Sequence, residues 1–441
     1  MNPICCRPGK CQVTQGTYSI IAATCYGNRG AQAMLETVVG RLSRERPGLH
    51  FNVFSYYPDE DRALVADPRV TVYSSTPAAL VLWLLPWAVL FGAARWLLGR
   101  RVLRLAPASI RALGESTALV DVAGVSFIDG REKFLPFNAL TIFPAWLLGV
   151  PVVKMSQATG PYKGFANRLS ARCFLPMCRM VWARGERTHR HLAQAAFARV
   201  RFAQADDIAF NHEAAYSLTA EDGGGSERLA TLIAEAGKQP GVRGLVGVCP
   251  SSVVAAKARS GDGAYEPALV ELIEGLAGQG LAVVLFPNAT RAAAGDAERN
   301  NDLPLMRRLA ASVAESGRAP VPLVLDFDLN ASAIKQVIAL MDIVVVSRFH
   351  AMVGALSIGV PPAVLGWSHK YEEVMARFGL EANVLDYKQL AGADLLSRAC
   401  GLFEDRVAVR GQILGHLPQV KQSAERPVAA LLSPSLGSDL A

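Results

Sequence analysis

Asp342-Ile-Val-Val-Val-Ser-Arg-Phe-His-Ala-Met-Val-Gly-Ala-Leu-Ser-Ile-Gly-Val-Pro361 is the stretch that decides the fold. It opens on a β-branched run, as a buried strand does, and from Arg348 onward turns into small apolar residues suited to a helix. Gly359-Val-Pro361 stops that helix, and a second apolar run follows at Pro362 to Leu365. Strand, helix and strand in close succession form a parallel βαβ unit. A strand ending at Ser347 leaves Arg348 and His350 at its carboxyl end, beside a helix N-terminus.

The same alternation runs outward in both directions. Upstream, strands are expected near Ser19 to Thr24, Phe51 to Ser55, Val70 to Tyr73, Leu119 to Val122, Val152 to Ser156 and Met180 to Ala183. Helices are expected at Arg29 to Glu45, Asn138 to Leu148, Phe165 to Leu175 and Thr188 to Phe197. Around the opening stretch, strands fall near Gly244 to Cys249, Leu281 to Phe286, Val321 to Asp326, Ile343 to Ser347 and Pro362 to Leu365. Helices at Glu266 to Gln279, Asn330 to Leu340 and Tyr371 to Phe378 separate them. The reading is an α/β chain of two Rossmann-like domains facing a central cleft, where ligands of doubly wound sheets bind. The expected division is a flexible leader 1–16, a first domain 17–215 and a linker 216–241. A second domain 242–390 follows, then C-terminal helices and a tail, 391–441. The linker rests on Glu221-Asp-Gly-Gly-Gly-Ser226 and Lys238-Gln-Pro-Gly241.

Composition narrows the classes. In 441 residues, 45 Lys plus Arg against 38 Asp plus Glu give a net charge of +7, and 51% of residues are apolar, which excludes a disordered tail, a collagen and a disulfide miniprotein. The basic excess is thin and no aromatic-basic module appears, so nucleic acid is not an expected partner. Eight cysteines form no disulfide framework; Cys5, Cys6 and Cys11 cluster without a nearby His, so no metal site is expected. No apolar run follows a basic start, which predicts a cytoplasmic protein.

The mean hydropathy of +0.23 is high for a charged fraction of 19%, and the excess is local. No Asp, Glu, Lys or Arg lies between Arg69 and Arg95, and Pro77 to Leu98 is almost continuously apolar. A crossing there would put Val70 to Tyr73 and Leu119 to Val122 on opposite sides of a bilayer, which two strands of one sheet do not allow. The segment is therefore an apolar helical insertion, about 77–105, in the first domain. Pro86 divides it, predicting a kinked helix or hairpin lying in the inner leaflet, with Arg95, Arg100, Arg101 and Arg104 following and Trp83, Trp87 and Trp96 at headgroup level. The plainer reading buries it against the sheet or a second copy. The oligomeric state stays open, with room for a homo-oligomer.

Chemistry-bearing residues collect after the strands. Arg348 and His350 can meet an anion, with His350 as general base, or can pair with a carboxylate to fix the turn; spacing alone supports both equally. Gly27 and Asn28 sit where a strand turns into a helix, and Asp129 ends a small-residue loop, either orienting a hydroxyl or capping the next segment. Gln157 to Pro161, with Gly160, and Arg184 follow further strands. Ser252 and Asn288 close the cleft from the second half. No P-loop, Gly-x-Gly-x-x-Gly, Cys-x-x-Cys or His-Glu-x-x-His occurs, which argues against nucleotide hydrolysis, dinucleotide oxidoreduction and zinc hydrolysis.

From about Tyr18 to Asp386 these motifs resemble, in order, the polysaccharide pyruvyl transferase family. Gly27-Asn-Arg-Gly-Ala-Gln-Ala33 is similar to the family's Gly-Asn-x-Gly-Asp-Glu-Ala, with Ala31 and Gln32 in place of both acids. Ala123-Gly-Val125 and Asp129 stand where the family has a glycine triplet and a trailing acid. Gln157-Ala-Thr-Gly-Pro161, Ala183-Arg-Gly-Glu186 and Ser347-Arg-Phe-His-Ala351 through Gly359-Val-Pro361, then Lys370, match well; Asn288 replaces a frequent His.

The resemblance implies a fold similar to GT-B glycosyltransferases. It also implies transfer of an enolpyruvyl unit from phosphoenolpyruvate to two hydroxyls of a sugar, giving a cyclic ketal and phosphate without a cofactor or metal. Arg184 and Arg348 would hold the donor's anionic groups and His350 would move protons, with Asp129 assisting. Phe349, Gly27, Asn28, Gln157, Gly160, Ser252 and Asn288 would contact substrate. The expected acceptor is an envelope or exopolysaccharide glycan, lipid-linked at the cytoplasmic face of the membrane. A nucleotide-sugar glycosyltransferase is the alternative, with Glu372 and Glu373 near the donor ribose, and a catalytically silent membrane scaffold is a third reading.

Overall fold

The computed structural model describes residues 16–194, 199–220, 225–260, 264–291, 300–366, 369–389 and 391–433. The expected leader, with Cys5, Cys6 and Cys11, lies outside them except for Gly16, as does the tail beyond Ser433. Two sheets form, each wholly parallel. The first contains β1 (Thr17–Ala23), β2 (His50–Ser55), β3 (Val70–Ser74), β4 (Ala118–Asp121), β5 (Val152–Gln157), β6 (Met180–Arg184) and β7 (Phe202–Ala205), in the order β3-β2-β1-β4-β5-β6-β7. The second contains β8 (Gly244–Cys249), β9 (Leu281–Leu285), β10 (Leu323–Val324), β11 (Ile343–Val346), β12 (Pro362–Gly366) and β13 (Val384–Asp386), in the order β10-β9-β8-β11-β12-β13. Two doubly wound, Rossmann-like sheets are thus present as the alternation predicts.

The topology explains why the apolar runs are unbroken. A parallel strand covered by helices on both faces has no solvent side to carry polar residues, so the four residues of β11 are all buried. Strand order reverses direction at β1/β4 and β8/β11, where the loops after the strands diverge and leave a crevice. The chemistry-bearing residues singled out above lie at or just after the carboxyl ends of β1, β4, β5, β6, β8, β9, β11 and β12.

Several elements depart from the expectation. Residues 225–237 of the expected linker form the helix Gly225–Gly237, whose Leu229 and Ile233 enter the core. Its apolar spacing is helical, and the preceding glycines masked it. The strands β7 and β13 and the helices Ser252–Arg259 and Leu303–Ser316 went unread; both strands are short edge elements with little periodicity. The apolar insertion is one continuous helix rather than a hairpin: Pro77–Ala79, a π-helical turn Leu80–Leu84, then Leu85–Leu98. Pro86 has no N–H for the preceding turn, and the wider π turn absorbs that break without bending the chain back. The stretch from Asp394 forms two helices. Gly392–Glu404 packs on Tyr265–Gly278 in the second half, while Arg406–Leu432 returns to the first, where Tyr18 donates to the Leu431 carbonyl at 2.9 Å.

Candidate functional site

At the carboxyl edge of β11 the chain passes from Ser347 into the helix Phe349–Leu356. Burial fixes this turn: Ser347 accepts from the Tyr265 hydroxyl (2.6 Å), and its carbonyl accepts from Tyr371 (3.1 Å). Arg348 and His350 leave the turn in different environments. Arg348 Nε donates to both Asp302 oxygens at 3.2 and 3.0 Å, Nη1 reaches Asn300 at 3.2 Å, and Nη2 reaches Ser252 at 3.0 Å as well as Asp302. Burial would weaken its charge, but Asp302 outweighs that and holds the guanidinium more firmly protonated than usual.

His350 has no such partner. Its Nε2 is buried, makes no hydrogen bond among the described residues, and stands 3.9 Å from Asp207 Oδ2. Burial lowers its pKa to about 4; Asp207 pulls the other way, and Arg184 and Lys370 add to the lowering. The imidazole is therefore neutral near pH 7 and available as a proton acceptor. Of the two readings that spacing left open, carboxylate pairing describes Arg348, whereas His350 Nε2 makes no hydrogen bond among the described residues.

The first half supplies the opposite wall. The Arg29–Glu45 helix is capped by Asn28, whose side chain accepts from the Gly30 and Ala31 amides. Its first turn lies so close to His350 that a Cβ on Gly30 would stand 1.9 Å from Nδ1. Arg184, at the end of β6, donates to Asp207 at 2.7 Å, and both are buried. Its guanidinium lies 4.6 Å over the Phe349 ring, and Lys370 lies 4.7 Å over the same ring. Burial, then Arg184 and Arg131, lower the Lys370 pKa to about 7, against the pull of Asp207. Burial would push the Asp207 carboxyl up, but Arg184 and the Ala209 amide hold it below the usual carboxylate range.

These groups surround a cavity of about 380 Å³. Arg131, Arg184, Arg348 and Lys370 face it with His350 and Phe349; the Ala123-Gly-Val125 backbone, Asn28 and Asn288 line it; Tyr56 and Phe137 form an aromatic end, packed edge-to-face. A second cavity of about 550 Å³ adjoins it, sharing Arg184 and Lys370 and adding Arg187, Glu373 and Arg377. Glu373 accepts from the Arg187 amide at 2.8 Å, so it ties the halves together there. No cluster of three His, Cys, Asp or Glu suited to a metal occurs among the described residues.

The other expected contacts are occupied by the protein itself. Gln157 donates to the Asp121 carboxylate and carbonyl at 2.9 and 3.0 Å and accepts from Ser126 at 2.7 Å, so it secures β4 to β5 rather than facing the cavity. Asp129 accepts from the Lys163 amide at 2.8 Å and Asn167 at 2.7 Å; it lines neither cavity and does not cap the next turn, Glu132–Phe134, but fastens its loop to the one before Phe165–Phe174. Gly160 (φ +89°) lets the His191 ring approach, and Gly27 (φ +74°) admits Arg291; neither lines a cavity. Ser252 supports Arg348 from behind.

Sequence reading missed Asp207, Asp302 and the role of Lys370. Asp207 follows the unread β7 and Asp302 precedes the unread helix Leu303–Ser316, so neither stood beside a recognised element. Also unread was the latch between halves. Arg29, fully buried, reaches Thr290 at 2.7 Å and pairs with Asp328, while its amide donates to the Asn288 carbonyl at 3.3 Å.

A family model described as polysaccharide pyruvyl transferase matches residues 28–369. No curated protein matches the sequence. Among solved structures, the chain is similar to an α,α-trehalose-phosphate synthase (UDP-forming) from Burkholderia vietnamiensis, at 14% identity and TM-score 0.53, covering 97% of this chain and 100% of that one. It is similar to a sucrose-phosphate synthase from Thermosynechococcus elongatus at 10% identity and TM-score 0.54 (95% and 97% covered). A UDP-N-acetylglucosamine 2-epimerase gives 13%, 0.54, and 95% of both chains. At these identities the likeness concerns the fold, a GT-B-like pair of Rossmann domains.

Proposed function

The chain belongs to the polysaccharide pyruvyl transferase family, and from that premise we propose that it moves an enolpyruvyl group from phosphoenolpyruvate to two hydroxyls of a glycan sugar, releasing phosphate. The observation that carries this reading is the cavity in which several cations face a single neutral, unpartnered imidazole. A small, multiply charged donor suits the cationic end, where Arg184, Lys370 and Arg131 would neutralise its carboxylate and phosphate. Arg348, already paired with Asp302, would add its field and fix the turn rather than grip the donor alone.

Each residue then has a proton task. His350 Nε2 accepts the proton of the attacking hydroxyl as its oxygen adds to C2 of the donor. The Lys370 ammonium gives a proton to C3, turning the methylene into a methyl group. When the second hydroxyl closes the ring, phosphate departs with the bridging oxygen. The lysine amine takes that hydroxyl's proton and His350 returns its own to the phosphate, restoring both groups. The separated pKa values of about 4 and about 7 suit this base and acid pairing. The aromatic end, Tyr56 and Phe137, suits the face of the acceptor sugar, which we assign to a lipid-linked glycan of the envelope at the cytoplasmic face of the membrane.

Purified protein with phosphoenolpyruvate and a glycan acceptor is expected to release inorganic phosphate and pyruvylated product. Release of a nucleoside diphosphate from a nucleotide sugar would replace this reading with the glycosyltransferase one. Phosphoenolpyruvate alone is expected to raise the thermal midpoint, since a ligand bound only by the folded state stabilises it; Arg184→Gln should remove the shift.

A further inference from the structure

The Pro77–Leu98 helix has two apolar faces, and the fold uses one. Leu80, Leu84, Ala88 and Phe91, three and four residues apart, are buried with Ile110 and Leu148 in the core of the first half. A surface helix ordinarily turns charged residues outward on its other face. Here the outward residues are apolar: Leu82 is 74% exposed, Trp96 85% and Leu98 73%, and only 28% of the helix's most apolar window is buried. Leu105 on the next turn extends this surface at 81% exposure.

Charge follows directly. Gly99 (φ +80°) ends the helix and the 3-10 turn Arg100–Leu105 presents Arg100, Arg101 and Arg104 to solvent. From Val70 to Gly114 the sequence has five arginines and no Asp or Glu. The helix is long enough to cross a bilayer, yet β3 before it and β4 after it are strands of one parallel sheet, so a crossing would tear the sheet apart. An apolar face beside an uncompensated cationic turn is the pattern of a helix lying in the plane of a membrane interface.

We propose that this face docks on a bilayer containing anionic phospholipids, the helix lying in the interface and Arg100, Arg101 and Arg104 on the headgroups. The uncompensated positive charge selects an anionic surface as the occupant, because a second copy docked on the same face would bring its own Arg100, Arg101 and Arg104 against these. The location also connects to the site. The turn Leu80–Leu84 packs on the helix Leu135–Leu140, whose Phe137 lines the cavity, so a bilayer held there reaches the rim of the cleft. This inference stands apart from the identity of the donor.

The test is flotation of the full chain with phosphatidylcholine vesicles, with and without phosphatidylglycerol. The protein should float with the anionic vesicles and be released by alkaline carbonate. Arg100→Gln/Arg101→Gln/Arg104→Gln should weaken binding roughly a hundredfold, each arginine giving about a fivefold factor. Leu82→Asp/Leu97→Asp should abolish it; both side chains are exposed, so an unchanged thermal midpoint confirms folding. Recovery equal to that without lipid, equal flotation of the variants, or resistance to carbonate would overturn the proposal. So would a dimer in sedimentation that the Leu82→Asp/Leu97→Asp pair splits while vesicles capture nothing, which would assign the face to a second copy.

Discussion

The two sheet edges that face each other across the cleft are built from similar parts and do different work. On the first edge, Gly27, Asn28, Gln157, Gly160 and Asp129 all follow strands, yet apart from Asn28 none lines the cavity, and their polar groups are committed to the protein itself. On the second, three successive residues, Arg348, Phe349 and His350, face the cavity together with Lys370. The first edge contributes Arg131, Arg184 and the aromatic end; the second contributes Arg348, Phe349, Lys370 and the imidazole. A glycine or amide that recurs after a strand is thus as readily a fastening as a contact.

The sharpest break of this contrast is at His350. His350→Ala should lower kcat by about 10²- to 10⁴-fold, read as phosphate release, while the thermal midpoint moves little. If an Ala at 350 kept full activity, the second edge would not hold the base. Next in size is Arg184→Leu, at the buried cation of the first edge. It leaves the buried Asp207 carboxylate uncompensated and should cost about 3–5 kcal/mol of stability in urea unfolding; Asp207→Asn together with Arg184→Leu should recover part of that loss.

The pH dependence comes third. The folded pKa of His350, about 4, lies below the free value of about 6.5, so between these the unfolded chain binds the extra proton. Stability should fall as the pH drops through that window, by about 1.4 kcal/mol per unit at most, and His350→Ala should flatten the slope. The smallest effect tests a fastening. Gln157→Leu leaves Asp121 and Ser126 short of partners and should cost about 1–3 kcal/mol without changing kcat/KM of the folded enzyme; a specific rise in KM would return Gln157 to the substrate.

Much of the fold was legible because parallel strands buried on both faces are written as unbroken β-branched runs. The strand Gly244–Cys249 and the helix Arg29–Glu45 were read to the residue. Strands β7 and β13 were not, since Phe202-Ala-Gln-Ala205 and Val384-Leu-Asp386 are too short to show a β-branched run. The same gap hid Asp207. The cavity lining was legible where residues follow a buried strand, as Arg348 and His350 do after β11, and illegible where partners lie far apart in sequence: nothing near Arg348 in the chain announces Asp302. Pro86 suggested a kinked helix or a hairpin, and the chain continues as one helix with a π turn before it. The fate of the outward face of that helix was readable only as a choice between lipid and protein.

The closeness of Gly30 to His350 makes the two halves poor interchangeable parts. The pocket for the imidazole is finished only by a bare backbone contributed from the other sheet, so a chimera assembled from different relatives would have to inherit positions 30 and 350 as a matched pair. What looks like a tolerant glycine in a helix's first turn is half of a specification written across more than three hundred residues.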